Sequence, residues 1–199
     1  MTQVITQDHI DRAMSYAAFR DLVNSLLIER KTTGSNQSDE FIEYTRLNMS
    51  RMNRNEKKTR LLPELVDAVK GQKRFQIWLG LVEAWCGDVP HNVPPLANLA
   101  VSVPNVSMRL LLRDENLDVM DAYLTNGGRS IPKIIALDAE TLEELWIWGP
   151  RPVPAQQLVQ ELKDKGAGYP EISEALQRWY NADKGQTLQQ EILQKVHAV

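Results

Sequence analysis

The chain has 199 residues, of which 43% are hydrophobic and 25% are charged, and its formal net charge is -3. This composition is typical of a globular domain with a filled core, and the slight acidity argues against a general nucleic-acid-binding surface. A single cysteine excludes an intrachain disulfide, and with only three scattered histidines it argues against a four-ligand structural zinc site.

The N-terminal sequence MTQVITQDHIDRAM contains no basic stretch followed by an apolar one, so no secretory signal is expected. No apolar run approaches the roughly 20 residues that a membrane-spanning helix needs. We therefore expect a cytoplasmic protein that contacts neither membrane nor nucleic acid, in a reducing compartment where a lone thiol stays free. The sequence predicts no metal and no cofactor, and it leaves the oligomeric state open.

The first segment, about residues 6–72, is predicted to be helical throughout. Gly34, Ser35 and Asn36 break the first helix, Ser38 is predicted to cap a second helix, and Pro63 to open a third that ends at Gly71. The first helix carries an approximate helical stripe of apolar side chains at Ile10, Met14, Ala17, Leu22 and Leu26.

The second predicted helix has an apolar side and a basic side. Its apolar residues are Phe41, Tyr44 and Leu47. Asparagines and Glu56 dilute the basic charge, so we predict a solvated helix face there rather than a contact with an anionic partner. The basic residues are Arg46, Arg51, Arg54, Lys57, Lys58 and Arg60.

The second segment, residues 73–165, is predicted to follow the order β-α-β-α-β-β-α. Four apolar runs are predicted as strands, at residues 74–83, 106–113, 132–137 and 142–148. Helices are predicted in the proline-interrupted stretch that ends near Ala100, at residues 117–124 and at residues 155–165.

The third segment, residues 166–199, is predicted to form two short helices. Leu188, Ile192 and Val196 are spaced four apart, as on one face of a helix, and we predict that this face docks on the main domain rather than on a partner. The predicted organisation is a helical extension over residues 1–72, an α/β domain over 73–165 and a helical tail over 166–199.

The sequence EAWCGD, residues 83–88, lies between a predicted strand and a predicted helix. Backbone N–H groups and the dipole at a helix N-terminus favour negative charge, and they can lower a cysteine pKa from about 8.5 into the range of roughly 3.5–7.5. A lone cysteine is also often a buried, inert apolar residue. Residue chemistry alone leaves both roles open for Cys86.

The WCGD sequence at a strand-to-helix junction resembles the Trp-Cys-Gly-x-Cys motif of thioredoxins. Pro94 lies eight residues after Cys86, where thioredoxins commonly have a proline that kinks the active-site helix. The Ile131–Pro132 pair precedes the third strand, where the thioredoxin fold has its cis-proline. The sequences NGGRSIP at 126–132 and WGPRP at 148–152 are similar to a bacterial group of thioredoxin-family proteins with a helical N-terminal extension.

This resemblance implies an α/β, thioredoxin-like fold: a four-stranded mixed sheet flanked by helices, with a helical N-terminal extension and a helical C-terminal tail. The chain departs from the family motif at the second cysteine, which is Val89 here. A mixed disulfide at Cys86 would therefore need an external thiol to resolve it.

The resemblance thus implies a monothiol thiol–disulfide oxidoreductase with Cys86 as its catalytic nucleophile. Its partner would be a protein disulfide or a low-molecular-weight thiol such as glutathione. The alternative is a redox-inactive thioredoxin-fold module for protein interaction. A peroxide-reactive cysteine is disfavoured because the sequence contains no peroxidase signature.

Three residues beside Cys86 are predicted to contribute to substrate binding. Trp85 would flank the thiol and present a flat apolar face, or pack half-buried. Gly87 and Asp88 indicate a turn. A carboxylate at Asp88 opposes thiolate formation and raises the pKa of a nearby thiol. We predict that Asp88 caps the helix, in preference to a role as an acid–base group.

A second predicted part of the substrate site is the loop at residues 129–132. Pro132, if cis, would hold Ile131 beside Cys86, and the backbone of Ile131 would pair with an extended substrate. Arg129 would bind a substrate carboxylate or stabilise the thiolate, or it would be a solvated loop arginine.

Overall fold

The computed structural model describes residues 4–199, so the first three residues of the predicted 1–72 extension lie outside it. One mixed sheet has the strand order β2-β1-β3-β4, with β1 parallel to β2 and antiparallel to β3, and β3 antiparallel to β4. Its strands are β1 (Gln76–Val82), β2 (Val106–Leu112), β3 (Lys133–Asp138) and β4 (Glu144–Trp148). The central strands β1 and β3 are almost wholly buried, as expected where helices cover a sheet.

Nine α-helices lie within residues 4–199 and surround this sheet. Helix α5 joins the parallel strands β1 and β2, because a parallel pair needs a crossover. Helix α3 packs on α5, α8 on α7, and α9 on α4 and β4. The α/β fold with a four-stranded mixed sheet is confirmed. The helices are α1 (Gln7–Arg12), α2 (Tyr16–Ile28), α3 (Asp39–Lys58), α4 (Pro63–Lys70), α5 (Val89–Ser102), α6 (Leu117–Met120), α7 (Val153–Asp164), α8 (Tyr169–Asp183) and α9 (Gln186–His197).

Local signals set several helix ends where the sequence predicts them. The Ser38 hydroxyl caps α3 by accepting a hydrogen bond from the Phe41 backbone N–H at 3.4 Å. Pro63 is the first residue of α4, where its missing N–H costs nothing, and Gly71 ends that helix. These three predictions are confirmed.

The N-terminal stripe does not form one helix but two, α1 and α2. The chain leaves the helix at Ala13 and is extended at Ser15. Between them the Met14 backbone exchanges two hydrogen bonds with Leu110, both of 2.8 Å, on the outer edge of β2. The segment thereby covers part of a strand edge that would otherwise be exposed. The apolar periodicity of the sequence does not predict this pairing. The helix predicted at 117–124 also ends early, at Met120.

The predicted apolar face of α3 is not its buried face. Phe41 and Tyr44 are only partly buried, and Leu47 is 46% exposed. The helix instead turns a mixed polar and apolar face inward, because two of its polar residues bond to buried groups. The buried residues are Ile42, Thr45, Asn48, Met49 and Met52.

The apolar stripe of α9 packs into the protein. Leu188, Ile192 and Val196 have no exposed surface and lie where α9 meets α4 and β4. One buried core contains residues of all three predicted segments, among them Phe19, Leu79 and Ile192. No helix between residues 4 and 199 is long and apolar enough to cross a membrane.

Candidate functional site

The loop between β1 and α5 is held in place by hydrogen bonds from side chains of the N-terminal helical region. The Thr33 hydroxyl accepts a hydrogen bond from the Ala84 backbone N–H at 2.9 Å. The amide nitrogen of Asn48 donates to the Ala84 carbonyl at 2.9 Å and to the Cys86 carbonyl at 3.1 Å. Asn48 is itself 1% exposed, so α3 fixes the backbone conformation of the loop from a buried position.

Cys86 lies within this loop as a buried thiol that is 8% exposed. Its Sγ donates a hydrogen bond to the Ile131 carbonyl at 3.3 Å, and the Ile131–Pro132 peptide bond is cis. Burial, and then the nearby Asp88 carboxylate, raise the pKa of Cys86 to about 12. Backbone N–H groups at the start of α5 do lower this pKa, but desolvation outweighs them. Of the two roles that the sequence leaves open for Cys86, these surroundings favour the buried, protonated thiol.

Asp88 is the N-cap residue directly before α5, but its side chain makes no capping hydrogen bond. The carboxylate instead accepts hydrogen bonds from Arg151, whose Nε lies 3.1 Å from both oxygens and whose Nη2 lies 2.5 Å from Oδ2. The Tyr180 hydroxyl donates to Oδ1 at 2.7 Å. The predicted capping role is wrong, because the carboxylate points toward the loop before α7 and toward α8.

Trp85 and Gly87 differ in their surroundings. The Trp85 ring is half-buried, and its centroid lies 5.0 Å from that of Phe41 and 4.8 Å from the guanidinium carbon of Arg113. Gly87 is exposed, and a Cβ built on it would have no heavy atom within 4 Å. The surface beside Cys86 is therefore open at Gly87 and filled at Trp85.

Arg129 does not join the group around Cys86. Its Nε and Nη2 donate to the carboxylate of Asp121 at 2.6 and 2.8 Å, and both side chains are about half exposed. The guanidinium that acts on the thiol is that of Arg151, whose positive charge lowers the pKa of Cys86 slightly. The structure thus brings together Cys86, Asp88 and Ile131, and leaves Arg129 in a surface ion pair.

Comparison with known proteins identifies the family. A thioredoxin family model matches residues 34–163. The chain belongs to the thioredoxin family. The match begins well before the predicted domain start at residue 73 and thus includes α3 and α4, of which α3 holds the Cys86 loop.

Two solved structures resemble this thioredoxin-family chain over most of its length. One is a protein of unknown function from Pseudomonas aeruginosa, with 19% identity, a TM-score of 0.63 and coverage of 94% of this chain and 93% of the other. The second is an HIV epitope-scaffold with 18% identity, a TM-score of 0.56 and coverage of 94% and 99%. At these identities the similarity shows the fold alone. No curated protein matches the sequence.

Sequence reasoning missed several members of this thioredoxin-family site, among them Arg151, Asn48 and Tyr180. Arg151 lies in the WGPRP sequence, which contributed to the family resemblance. That sequence gave no indication that Arg151 would pair with Asp88. Asn48 and Tyr180 had no signal of their own, because their roles depend on the packing of α3 and α8. No group of three or more potential metal-ligating side chains occurs within residues 4–199.

His91, on the first turn of α5, is a buried neutral ring. It stacks on Tyr180 with ring centroids 4.2 Å apart and planes 7° apart. Its Nε2 lies 3.2 Å from Gln177 Oε1, and its Nδ1 lies 3.2 Å from the Asn55 amide nitrogen. Burial, and next the positive charge of Arg51, lower its pKa to about 3. The ring therefore ties α5 to α8 without carrying charge.

We expect His91 to make the protein less stable as the pH falls from about 6.5 toward 3. The unfolded chain binds a proton at His91 over this range and the folded chain does not, so the free energy of unfolding falls with pH. Between pH 7.5 and pH 5, His91 is expected to lower the free energy of unfolding by about 2 kcal/mol. Urea unfolding at both pH values should give a smaller pH dependence for His91→Gln than for wild type. His197→Gln, at an exposed position, should retain the wild-type dependence; equal dependences for both variants would contradict the assignment.

Proposed function

We propose that this thioredoxin-family chain is a redox-silent binding module in which Cys86 is kept as a protonated thiol. The observation that carries the proposal is the buried Sγ, hydrogen-bonded to the Ile131 carbonyl and placed near the Asp88 carboxylate. Because the thiolate is the nucleophile in thiol–disulfide exchange, this environment suppresses the first step of the reaction. The resolving step also lacks its residue, since Val89 replaces the second cysteine and is fully buried.

A binding role suits the rigidity of the loop around Cys86. Thr33 and Asn48 hold its backbone from one side, and the ion pair of Asp88 with Arg151 holds it from the other. Preordered backbone loses little entropy when a partner binds, which favours recognition by a fixed surface. Gly87, directly after Cys86, is exposed and supplies open backbone for such a contact.

The second candidate is the monothiol oxidoreductase, and the position of Ile131 favours it. Its carbonyl faces the Cys86 thiol, so a substrate chain lying on residues 131–132 would pass close to the sulfur. In that reaction the Cys86 thiolate attacks a substrate disulfide, its S–S bond breaks and one substrate thiolate leaves. An external thiol such as glutathione then attacks the mixed disulfide, forms a disulfide with the bound half and releases the Cys86 thiolate.

Alkylation of Cys86 by iodoacetamide at a series of pH values separates the two candidates. We expect the native protein at pH 8 to react at least about 100-fold more slowly than the chain unfolded in urea, because the raised pKa depletes the thiolate. A native titration midpoint below about 8.5 with fast labelling would overturn the redox-silent proposal and support the monothiol reaction.

A variant pair tests whether the Asp88 carboxylate contributes to the raised pKa. In Asp88→Asn the negative charge near Cys86 disappears and the Arg151 guanidinium remains, so native alkylation should become faster and its midpoint should shift to lower pH. Asp121→Asn removes a carboxylate that pairs with Arg129 and should leave the midpoint unchanged. Circular dichroism of both variants confirms that the comparison is made on folded protein.

A further inference from the structure

A cavity of about 210 Å³ lies beside the Cys86 loop, between that loop, α3, α7 and α8. Gly87 and Asp88 form its wall on the loop side. Its apolar wall consists of Val159, Ile172 and Leu176. Ligand pockets for drug-sized molecules measure about 300–1,000 Å³, so this cavity suits a smaller molecule.

Arg51 and Lys163 give this cavity an uncompensated positive charge. Arg51 is half-buried, and its Nη1 donates at 3.1 Å to Asn48 Oδ1, which is a neutral group. Within residues 4–199 neither cation has a carboxylate oxygen within 4 Å of its nitrogens. The one carboxylate on the cavity wall, that of Asp88, is already paired with Arg151 and bonded to Tyr180.

The surroundings of Arg51 make its positive charge energetically unfavourable. Its neighbour Arg54 carries the same sign, and burial together with Arg54 lowers the pKa of Arg51. A partly desolvated cation without a counter-charge is unfavourable, and a bound anion would relieve it. The expectation of a solvated basic face is therefore wrong for Arg51, although it holds for Lys57, which is exposed.

We propose that this cavity binds a small organic anion, with its acidic group at Arg51 and Lys163 and an apolar body against Val159, Ile172 and Leu176. The inference names a ligand class for the binding role proposed above and rests on it. Arginine forms paired, charge-assisted hydrogen bonds with carboxylate and phosphate groups, which supplies the orientation. Asn48 contacts both Arg51 and the Cys86 carbonyl, so a single side chain connects the proposed acidic-group site to the backbone of Cys86.

Hexanoate is a suitable probe, and 1-hexanol is its neutral counterpart. We expect saturable binding of hexanoate to the wild-type chain, measured by calorimetry and by perturbed amide signals in residues 159–177. Losing a charge-assisted hydrogen bond costs about 1.5–3 kcal/mol, so Arg51→Gln should weaken hexanoate binding at least about tenfold. Lys163→Gln, at an exposed position, should also weaken hexanoate binding. Binding of 1-hexanol should be equal in all three proteins.

Arg46→Gln is the matched control, because Arg46 lies on the same helix, is exposed and pairs with Glu43. Its affinity for hexanoate should equal that of the wild type. The inference is overturned if the wild type shows no saturable binding, or if Arg51→Gln and Arg46→Gln bind hexanoate equally. Neither result would change the slow alkylation expected for Cys86. Fast alkylation would instead overturn the redox-silent proposal without affecting hexanoate binding.

Discussion

Replacing Arg151 with methionine is expected to lower the free energy of unfolding by about 3 kcal/mol. The Asp88 side chain is 8% exposed, and without Arg151 its carboxylate would stay buried with the Tyr180 hydroxyl as its remaining side-chain donor. Removing one member of a buried ion pair costs about 3–5 kcal/mol, because an uncompensated charge is left behind. Arg151 is 22% exposed, so water reduces the loss and the lower end of that range applies. Urea unfolding at pH 7.5 measures the difference.

A surface ion pair on α8 provides the control for this measurement. Arg178 and Glu174 form a pair at 2.9 Å with both side chains about 70% exposed. Arg178→Met should therefore change the free energy of unfolding by no more than about 0.5 kcal/mol. The double variant Asp88→Asn, Arg151→Met should recover part of the loss, because it buries no charge. Equal stabilities for Arg151→Met and Arg178→Met would show that the buried pair does not hold the site together.

A hydrogen bond to the Asp88 carboxylate also makes the C-terminal tail part of the site. Tyr180 on α8 donates to a carboxylate 92 residues earlier in the chain and accepts a hydrogen bond from Asn92 at 2.9 Å. The family match ends at residue 163, so α8 lies beyond the region that identifies the chain as a thioredoxin. A segment outside the matched region thus fixes the residue that follows Gly87 and closes the cavity beside the loop.

The features that sequence predicts well are those decided by neighbouring residues. Apolar runs mark all four strands to within two residues, and Ser38, Pro63 and Gly71 mark helix ends through local hydrogen bonding and backbone geometry. The Trp-Cys-Gly sequence locates the loop for the same reason, because it is a contiguous motif. Each of these signals acts over a few residues and is visible without the fold.

The role of each site residue depends on groups that are distant in sequence. Asp88 can cap α5 or bind Arg151, which lies 63 residues away, and only the packed structure decides between them. For Cys86 the sequence predicts the helix N-terminus that favours a thiolate. It does not predict the burial beneath Ile131 that outweighs this effect. Arg51 is one of six basic residues in the cluster over residues 46–60 and becomes distinct only at the cavity that α3, α7 and α8 line.

Gly149→Ala is expected to destabilise the protein by about 3–5 kcal/mol, at a position where β4 ends beside the Cys86 site. Gly149 has a φ of +123°, which side-chain-bearing residues rarely adopt, and a Cβ there would lie 2.2 Å from the Pro132 carbonyl oxygen and 3.2 Å from the Lys133 Cα. Both are backbone atoms of the segment that carries Ile131, so relief of the clash would displace the carbonyl that accepts the Cys86 thiol. Thermal unfolding and alkylation of Cys86 should therefore change together.

Gly127→Ala is the control that introduces backbone strain without a steric clash. Gly127 also has a positive φ, +76°, but a Cβ there would meet no heavy atom within 4 Å. Its substitution should cost about 1–2 kcal/mol and leave the alkylation rate of Cys86 unchanged. If Gly149→Ala were no more destabilising than Gly127→Ala, the close approach of β4 to Pro132 would not be what positions Ile131. The hydrogen bond from the thiol would then depend on Cys86 and its own loop, which Thr33 and Asn48 already hold.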